Sequence, residues 1–166
     1  MAKSKSNKTM QIFSFCTIAL AALAIILYMF CPAIKYEGIS GDITYSGINV
    51  IFGKKATADL IITKVTGDVF KFSFLLFLGL IFAVAGLVIT ILPLCGVKFK
   101  LFPIIAIACF VVAALFCFLS KNCCVLGNGD MGAGDGASLG IGAIIAGILY
   151  ILAGCASALP IVFDKK

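Results

Sequence analysis

The chain contains no histidine and no tryptophan, and its thirteen basic residues are all lysines, so arginine is absent too. Without histidine it lacks the commonest proton-transfer side chain near neutral pH and cannot form a Cys/His nucleophile pair. Without arginine it lacks the planar fork that binds carboxylates and phosphates with two hydrogen bonds. The seven acidic residues show no paired arrangement. These absences predict a protein that is not an enzyme, with no catalytic, cofactor-binding or metal-binding residues and no cofactor.

Charge is scarce along the whole chain. Charged residues make up 12% of it and hydrophobic residues 63%, with a mean hydropathy of +1.22. This composition is typical of an integral membrane protein whose first partner is the lipid bilayer. The formal net charge of +6 does not indicate nucleic-acid binding, because the lysines are scattered over chain ends and loops without forming a basic stripe.

Four long segments carry no charged residue, and each is long enough to cross a hydrocarbon core of about 30 Å as a helix. All four prolines lie at or near the ends of these segments, where a missing N–H is tolerated. The pattern predicts an all-α integral membrane protein, a single domain over residues 1–166 built as a four-transmembrane-helix antiparallel bundle. The predicted spans are residues 10–31, 72–94, 101–119 and 138–163.

The first loop, residues 32–71, is rich in β-branched and aromatic residues, which favour strands. We predict in it a small antiparallel β-sheet of two to four strands, with a loosely ordered loop as the alternative. The strand-like runs are residues 34–37, 43–45, 48–52 and 60–66, and the turns between them are predicted at residues 40–42, 53–55 and 67–68.

The remaining connections are an inner link at residues 95–100, a second outer loop at 120–137 and a tail at 164–166. The second loop contains a glycine-rich stretch, residues 127–132, which matches a dinucleotide-binding pattern literally. That match carries no weight, because no strand–helix–strand unit surrounds it. We interpret the stretch as a mobile connector.

Lysines give the predicted orientation. The short link carries Lys98 and Lys100, and short loops weigh most in the positive-inside rule. We therefore expect a multi-pass protein of the plasma membrane with both termini cytoplasmic and with the first and second loops outside. None of the four segments contains an ionisable Asp, Glu, Lys, Arg or His, which argues against a proton-coupled transporter.

Small residues recur at helical spacing within three of the segments. Such stripes allow close approach of helix backbones in lipid. The predicted packing residues are Gly79, Ala83, Gly86, Cys109, Ala113, Cys117, Gly142 and Ala146.

Three of the eight cysteines are expected near the outer surface: Cys31, Cys123 and Cys124. A disulfide from Cys31 to either of the other two would tie the first helix to the third, given an oxidising compartment and Cα atoms within about 7 Å.

Four helices, a strand-rich first outer loop, a short inner link and a smaller second outer loop resemble the layout of the claudin and peripheral-myelin-type tetraspan proteins. The likeness covers the whole chain as topology. That family's first loop is marked by tryptophan and two cysteines, and residues 32–71 contain neither. The layout implies lateral assembly or partner binding, and no functional residue is carried over.

Apolar side chains of the first loop form the candidate partner-binding surface, because edge strands can pair with another chain. Two alternative apolar faces are predicted. One consists of Ile48, Val50 and Phe52, and the other of Ile43, Tyr45 and Ile51. The leading hypothesis is a non-enzymatic membrane protein that assembles laterally with copies of itself, or serves as an accessory subunit of a larger membrane protein. The alternative is a channel or carrier for a small neutral or lipid-like solute.

Overall fold

A computed structural model describes residues 2–36, 42–59, 64–95, 97, 101–134 and 136–163. The described chain is mostly helical, with two small antiparallel sheets. Parts of the predicted turn at 40–42, of the strand-like run at 60–66 and of the link at 95–100, together with the whole tail at 164–166, lie outside the described residues.

Four long helices follow the apolar segments: α1 (Ala2–Phe30), α3 (Phe74–Ile91), α4 (Phe102–Phe118) and α6 (Ile141–Phe163). Three of them contain spans long and apolar enough to cross a membrane, namely Gln11–Phe30, Phe74–Ile91 and Ile141–Leu159. The helix α4 is equally apolar but has only 17 residues. The helix α6 begins three residues later than predicted, because residues 137–139 join a sheet instead.

Two three-stranded sheets replace the single sheet predicted within the first loop. The strands are β1 (Pro32–Tyr36), β2 (Ile43–Ser46), β3 (Lys54–Asp59), β4 (Lys64–Lys71), β5 (Val125–Leu126) and β6 (Ala137–Leu139). The first sheet has the order β2-β1-β6 and the second β3-β4-β5. Each therefore takes two strands from the first loop and one from the second. In register, Lys35 faces both Thr44 and Ser138, and Lys71 faces Val125.

The predicted strand at residues 48–52 is wrong, because these residues form a short helix, α2 (Gly47–Phe52). Gly47, Val50 and Ile51 are buried, while Ile48 and Phe52 are exposed. Burial at positions i, i+3 and i+4 follows the period of a helix rather than the alternation of a strand. The predicted turn at residues 67–68 is also wrong, since both residues lie inside β4.

The second loop is built into the sheets, which corrects its interpretation as a mobile connector. The amide of Gly127 donates to the carbonyl oxygen of Val69 at 3.0 Å, and the amide of Gly132 donates to that of Cys124 at 2.8 Å. An isolated β-bridge joins Val125 and Met131. The glycines of this loop allow the chain to turn between these contacts, and Gly129 and Gly132 have positive φ angles.

The chain divides into two compact units. The loop unit comprises Leu27–Leu78 and Phe116–Ile145, and its core contains Ile34, Ile51 and Phe70. The helix unit comprises Met1–Ile26, Gly79–Leu115 and Ala146–Lys166.

The helix unit packs through small residues. A side chain at Gly86 would place its Cβ 2.9 Å from Cε1 of Phe110 and 3.2 Å from Cβ of Cys109, so glycine permits close contact between α3 and α4. Phe110 in turn stacks on Tyr150, with ring centroids 6.4 Å apart. The other predicted packing residues of this unit, Gly79, Ala83, Ala113 and Ala146, are buried as well. Cys117 and Gly142 are buried in the loop unit.

Candidate functional site

The strand β2 is an edge of its sheet, because β1 is its only neighbour in the described order β2-β1-β6. Ile43, at the start of β2, is 56% exposed, and the next residue, Thr44, is exposed too. An edge strand with an exposed β-branched residue can accept a strand from another chain.

The six predicted partner-binding residues differ in their exposure to solvent. Ile43, Ile48 and Phe52 are exposed, whereas Val50 and Ile51 are fully buried in the loop unit. Tyr45 is half-buried. The face of Ile48, Val50 and Phe52 expected from strand alternation does not exist, because the helix α2 turns Val50 into the core.

Tyr45 belongs to an aromatic cluster that joins the two sheets. Its ring centroid lies 6.0 Å from that of Tyr36 and 5.0 Å from that of Phe70, both in edge-to-face geometry. The hydroxyl of Tyr36 donates to the carbonyl oxygen of Ala133 at 3.0 Å. Burial raises the pKa of Tyr36, so its hydroxyl stays protonated and available as this donor.

A shallow cleft of about 240 Å³ lies beside this cluster and carries most of the exposed charge described in the first loop. We call it the lysine cleft; it is lined by Phe52, Gly53, Lys54, Lys55, Asp68, Phe70 and Lys71. Nζ of Lys54 lies 5.2 Å from the ring centroid of Tyr45, a cation–π contact that holds this lysine in place. All three lysines and Asp68 are exposed.

The lysine cleft has an excess of positive charge, with three lysines against one aspartate. Among the described residues the ion pair with an N···O distance under 4 Å lies elsewhere, between Nζ of Lys35 and Oδ2 of Asp42 at 2.8 Å. Sequence reasoning missed the cleft, because residues 53–55 were interpreted as a turn. Only the pairing of β3 with β4 brings Lys54 and Lys55 close to Lys71.

Three phenylalanines meet where the first loop joins the helix α3. The ring centroid of Phe52 lies 6.4 Å from that of Phe72 and 6.0 Å from that of Phe77. Phe52 and Phe72 are about half exposed, at 49% and 48%. Phe77 lies within the membrane-spanning segment Phe74–Ile91, so this cluster is attached to the end of a span.

Buried hydroxyls connect parts of the loop unit that are distant in sequence. The hydroxyl groups of Tyr28 and Ser120 share a hydrogen bond of 2.9 Å, and Ser120 also contacts the carbonyl oxygen of Cys117 at 2.7 Å. Oγ of Ser73 donates to the carbonyl oxygen of Cys123 at 2.6 Å. No spacing in the sequence indicates the Tyr28–Ser120 and Ser73–Cys123 contacts, because their partners lie 92 and 50 residues apart.

All eight cysteines are free thiols in the structure. Cys31 and Cys123 are half-buried and Cys124 is buried, with its Sγ donating to the carbonyl oxygen of Lys121 at 3.2 Å. Burial raises the pKa of Cys124 to about 11 and also raises that of Cys123, so both are weak nucleophiles near neutral pH. The bridge from Cys31 stays a prediction. Within the described part of the chain, no three His, Cys, Asp or Glu residues group as metal ligands.

Three helices long and apolar enough to cross a bilayer place the chain in the class of membrane-embedded helical proteins. No protein-family model matches it, and neither a curated protein nor a solved structure matches it.

Proposed function

We propose that this chain is a non-enzymatic integral membrane protein that assembles laterally with a second protein through the open edge of β2. The observation that carries the proposal is the exposure of Ile43 on an edge strand. The other outermost strand of the first loop, β3, begins with two exposed lysines, a common protection against unwanted pairing. The strand β2 has no such lysine among its four residues.

The topology that suits this role has four spans. Strand β1 pairs with β6, and β4 pairs with β5, which supports a topology with the first and second loops on one membrane face. If α3 carries the chain away from that face, α4 must carry it back. Its 17 apolar residues rise about 25 Å, at the short end of the range for membrane helices. Four spans with two loops on one face give the claudin-like layout.

The proposed orientation follows the lysines. Lys98 and Lys100 lie in the short link between α3 and α4, and the positive-inside rule places such a link in the cytoplasm. Four spans then put both termini on the cytoplasmic side and both loops outside the cell. We propose the plasma membrane as the location.

Substituting Ile43 with Asp tests the role of the edge. If β2 docks on a second protein, an unpaired carboxylate in that interface should cost about 2 kcal/mol or more, which weakens association about thirtyfold. The measurement is chemical cross-linking in native membranes, followed by particle mass and mass spectrometry after extraction in mild detergent. Partner bands identify either a second copy of the chain or a larger membrane protein.

Met131→Asp is the matched control, because Met131 is 61% exposed and lies in the second loop rather than on β2. It should leave association unchanged. An equal loss of association in the two variants, or an unchanged complex with Ile43→Asp, would contradict the proposal. Membrane insertion should be the same in both variants.

A further inference from the structure

The lysine cleft has the charge of an anion-binding surface. Lys54 and Lys55 begin β3 and Lys71 ends β4, and Asp68 is the only acidic residue in the lining. Among the described residues, none of these three ammonium groups takes part in a hydrogen bond or ion pair, and that of Lys54 lies over the ring of Tyr45. Lysine ammonium groups bind phosphate as point charges.

The size of the cleft argues against an enclosed small-molecule ligand. Its volume of about 240 Å³ falls below the roughly 300–1,000 Å³ of typical ligand pockets. A shallow positive surface of this size fits one phosphate-sized group whose remainder lies outside the protein.

The position of the cleft next to a membrane span indicates which molecule carries the phosphate group. Lys71 precedes the apolar span Phe74–Ile91 by three residues, and a residue this close to the end of a membrane-crossing helix lies near the lipid headgroups. Phe52, part of the cleft lining, packs on Phe77 within the span, and both Phe52 and Phe72 leave about half of their surface uncovered. Exposed phenylalanine rings at the end of a membrane span form an apolar surface that lipid acyl chains can cover.

We propose that the lysine cleft binds the headgroup phosphate of an anionic phospholipid, with the upper acyl chain against Phe52 and Phe72. The occupant joins the two halves of the surface: its phosphate meets the lysines and its chain meets the phenylalanines. An acidic protein segment would match the lysines but would leave these rings, at the end of a span, without an apolar partner. The cleft lining does not include Ile43, the exposed residue of the β2 edge, and the proposal does not depend on lateral assembly.

The test uses the full chain in lipid nanodiscs containing equal amounts of phosphatidylglycerol and phosphatidylcholine. Native mass spectrometry after release counts the lipid molecules of each kind that stay bound. The parent protein should retain more phosphatidylglycerol than phosphatidylcholine. Lys71→Gln should lower that preference about fivefold, because each lysine near an anionic surface contributes about that factor.

Lys121→Gln is the matched control, since it removes the same charge from the second loop, outside the cleft lining. It should change the preference less than twofold, and Lys71→Arg should keep it. Equal losses in Lys71→Gln and Lys121→Gln would reduce the effect to general surface charge and overturn the site. Equal retention of both lipids by the parent would overturn it as well.

Two further measurements distinguish a bound lipid from a small phosphate anion and from an acidic protein segment. Excess glycerol phosphate should fail to displace the bound lipid; complete displacement would show that a small anion suffices and would contradict the lipid assignment. A soluble polyglutamate peptide should bind parent and Lys71→Gln equally weakly in detergent. Binding that is strong and depends on Lys71 would instead assign the cleft to an acidic protein partner.

Discussion

Gly53 shows how one residue shapes the lysine cleft. It ends the helix α2 with φ 91° and ψ 156°, a region of backbone conformation that is almost restricted to glycine. A Cβ at this position would lie 2.8 Å from the carbonyl oxygen of Phe70. The absent side chain thus lets the chain turn from α2 into β3 while pressed against β4, and this turn places Lys54 and Lys55 opposite the end of β4.

Gly53→Ala should therefore destabilise the protein by about 1–3 kcal/mol, because alanine at this position has a strained backbone conformation and its Cβ lies too close to the carbonyl oxygen of Phe70. The measurement is the free energy of unfolding in mild detergent. Gly67→Ala is the control, since Gly67 lies in β4 without a positive φ and nothing stands within 4 Å of its added Cβ. It should be neutral or slightly stabilising. Similar losses in both variants would contradict the role given to Gly53.

At the scale of elements, the start of α3 is fixed from both loops at once. Ser73 is fully buried just before the helix, and its Oγ accepts a hydrogen bond from the amide of Leu76 at 3.4 Å. The same oxygen donates to the carbonyl of Cys123, at the end of the short helix α5 (Ser120–Cys123). The amide of Ser73 donates to the carbonyl oxygen of Ile51 at 2.9 Å, which ties the end of α2 to the same point. One serine thus caps a membrane helix and holds both loops to it.

Ser73→Ala should cost about 1–2 kcal/mol, because it removes a helix cap and leaves the carbonyl oxygen of the half-buried Cys123 without this donor. The expected readout is a lower free energy of unfolding together with faster cleavage of the second loop by a protease. Thr44→Ala serves as the comparison, since it removes a hydroxyl from an exposed position on β2. Unchanged stability in Ser73→Ala would show that the cap and the cross-loop bond contribute nothing.

At the scale of the whole molecule, strand pairing between the loops restricts the membrane topology. Ile34 in β1 faces Leu139 in β6, and Phe70 in β4 faces Leu126 in β5. A bilayer cannot separate paired strands, because backbone groups inside lipid must find hydrogen-bond partners. In the proposed topology the first and second loops therefore share a face, and an even number of crossings joins them.

Cysteine labelling in sealed membrane vesicles of known orientation checks this topology. Thr44→Cys and Asn128→Cys, at exposed positions of the two loops, should react with a membrane-impermeant maleimide from the same side. Val97→Cys, in the link between α3 and α4, should react only from the other side. Each signal is taken as the increment over the parent chain with its eight cysteines. Labelling of Thr44→Cys and Asn128→Cys from opposite sides would rule out the proposed topology.

Sequence alone determined the apolar helices, because hydropathy and length are local properties of a segment. The absence of charge in residues 72–94 and the prolines at the segment ends predicted α3 to within three residues at each end. The same local reasoning failed at residues 48–52, where β-branched residues favour a strand. There the burial of Val50 and Ile51 in the loop unit outweighs local propensity and selects the helix α2.

Tertiary structure decided everything that depends on pairing between distant residues. The strands β5 and β6 are two and three residues long and have no sequence signal of their own; they form because β4 and β1 offer edges to pair with. The lysine cleft arises in the same way, since the pairing of Lys54 with Phe70 and of Lys55 with Asp68 brings both lysines to the same cleft as Lys71. Local composition fixes where a chain enters the membrane, whereas hydrogen bonds between separated strands fix which side chains share a surface.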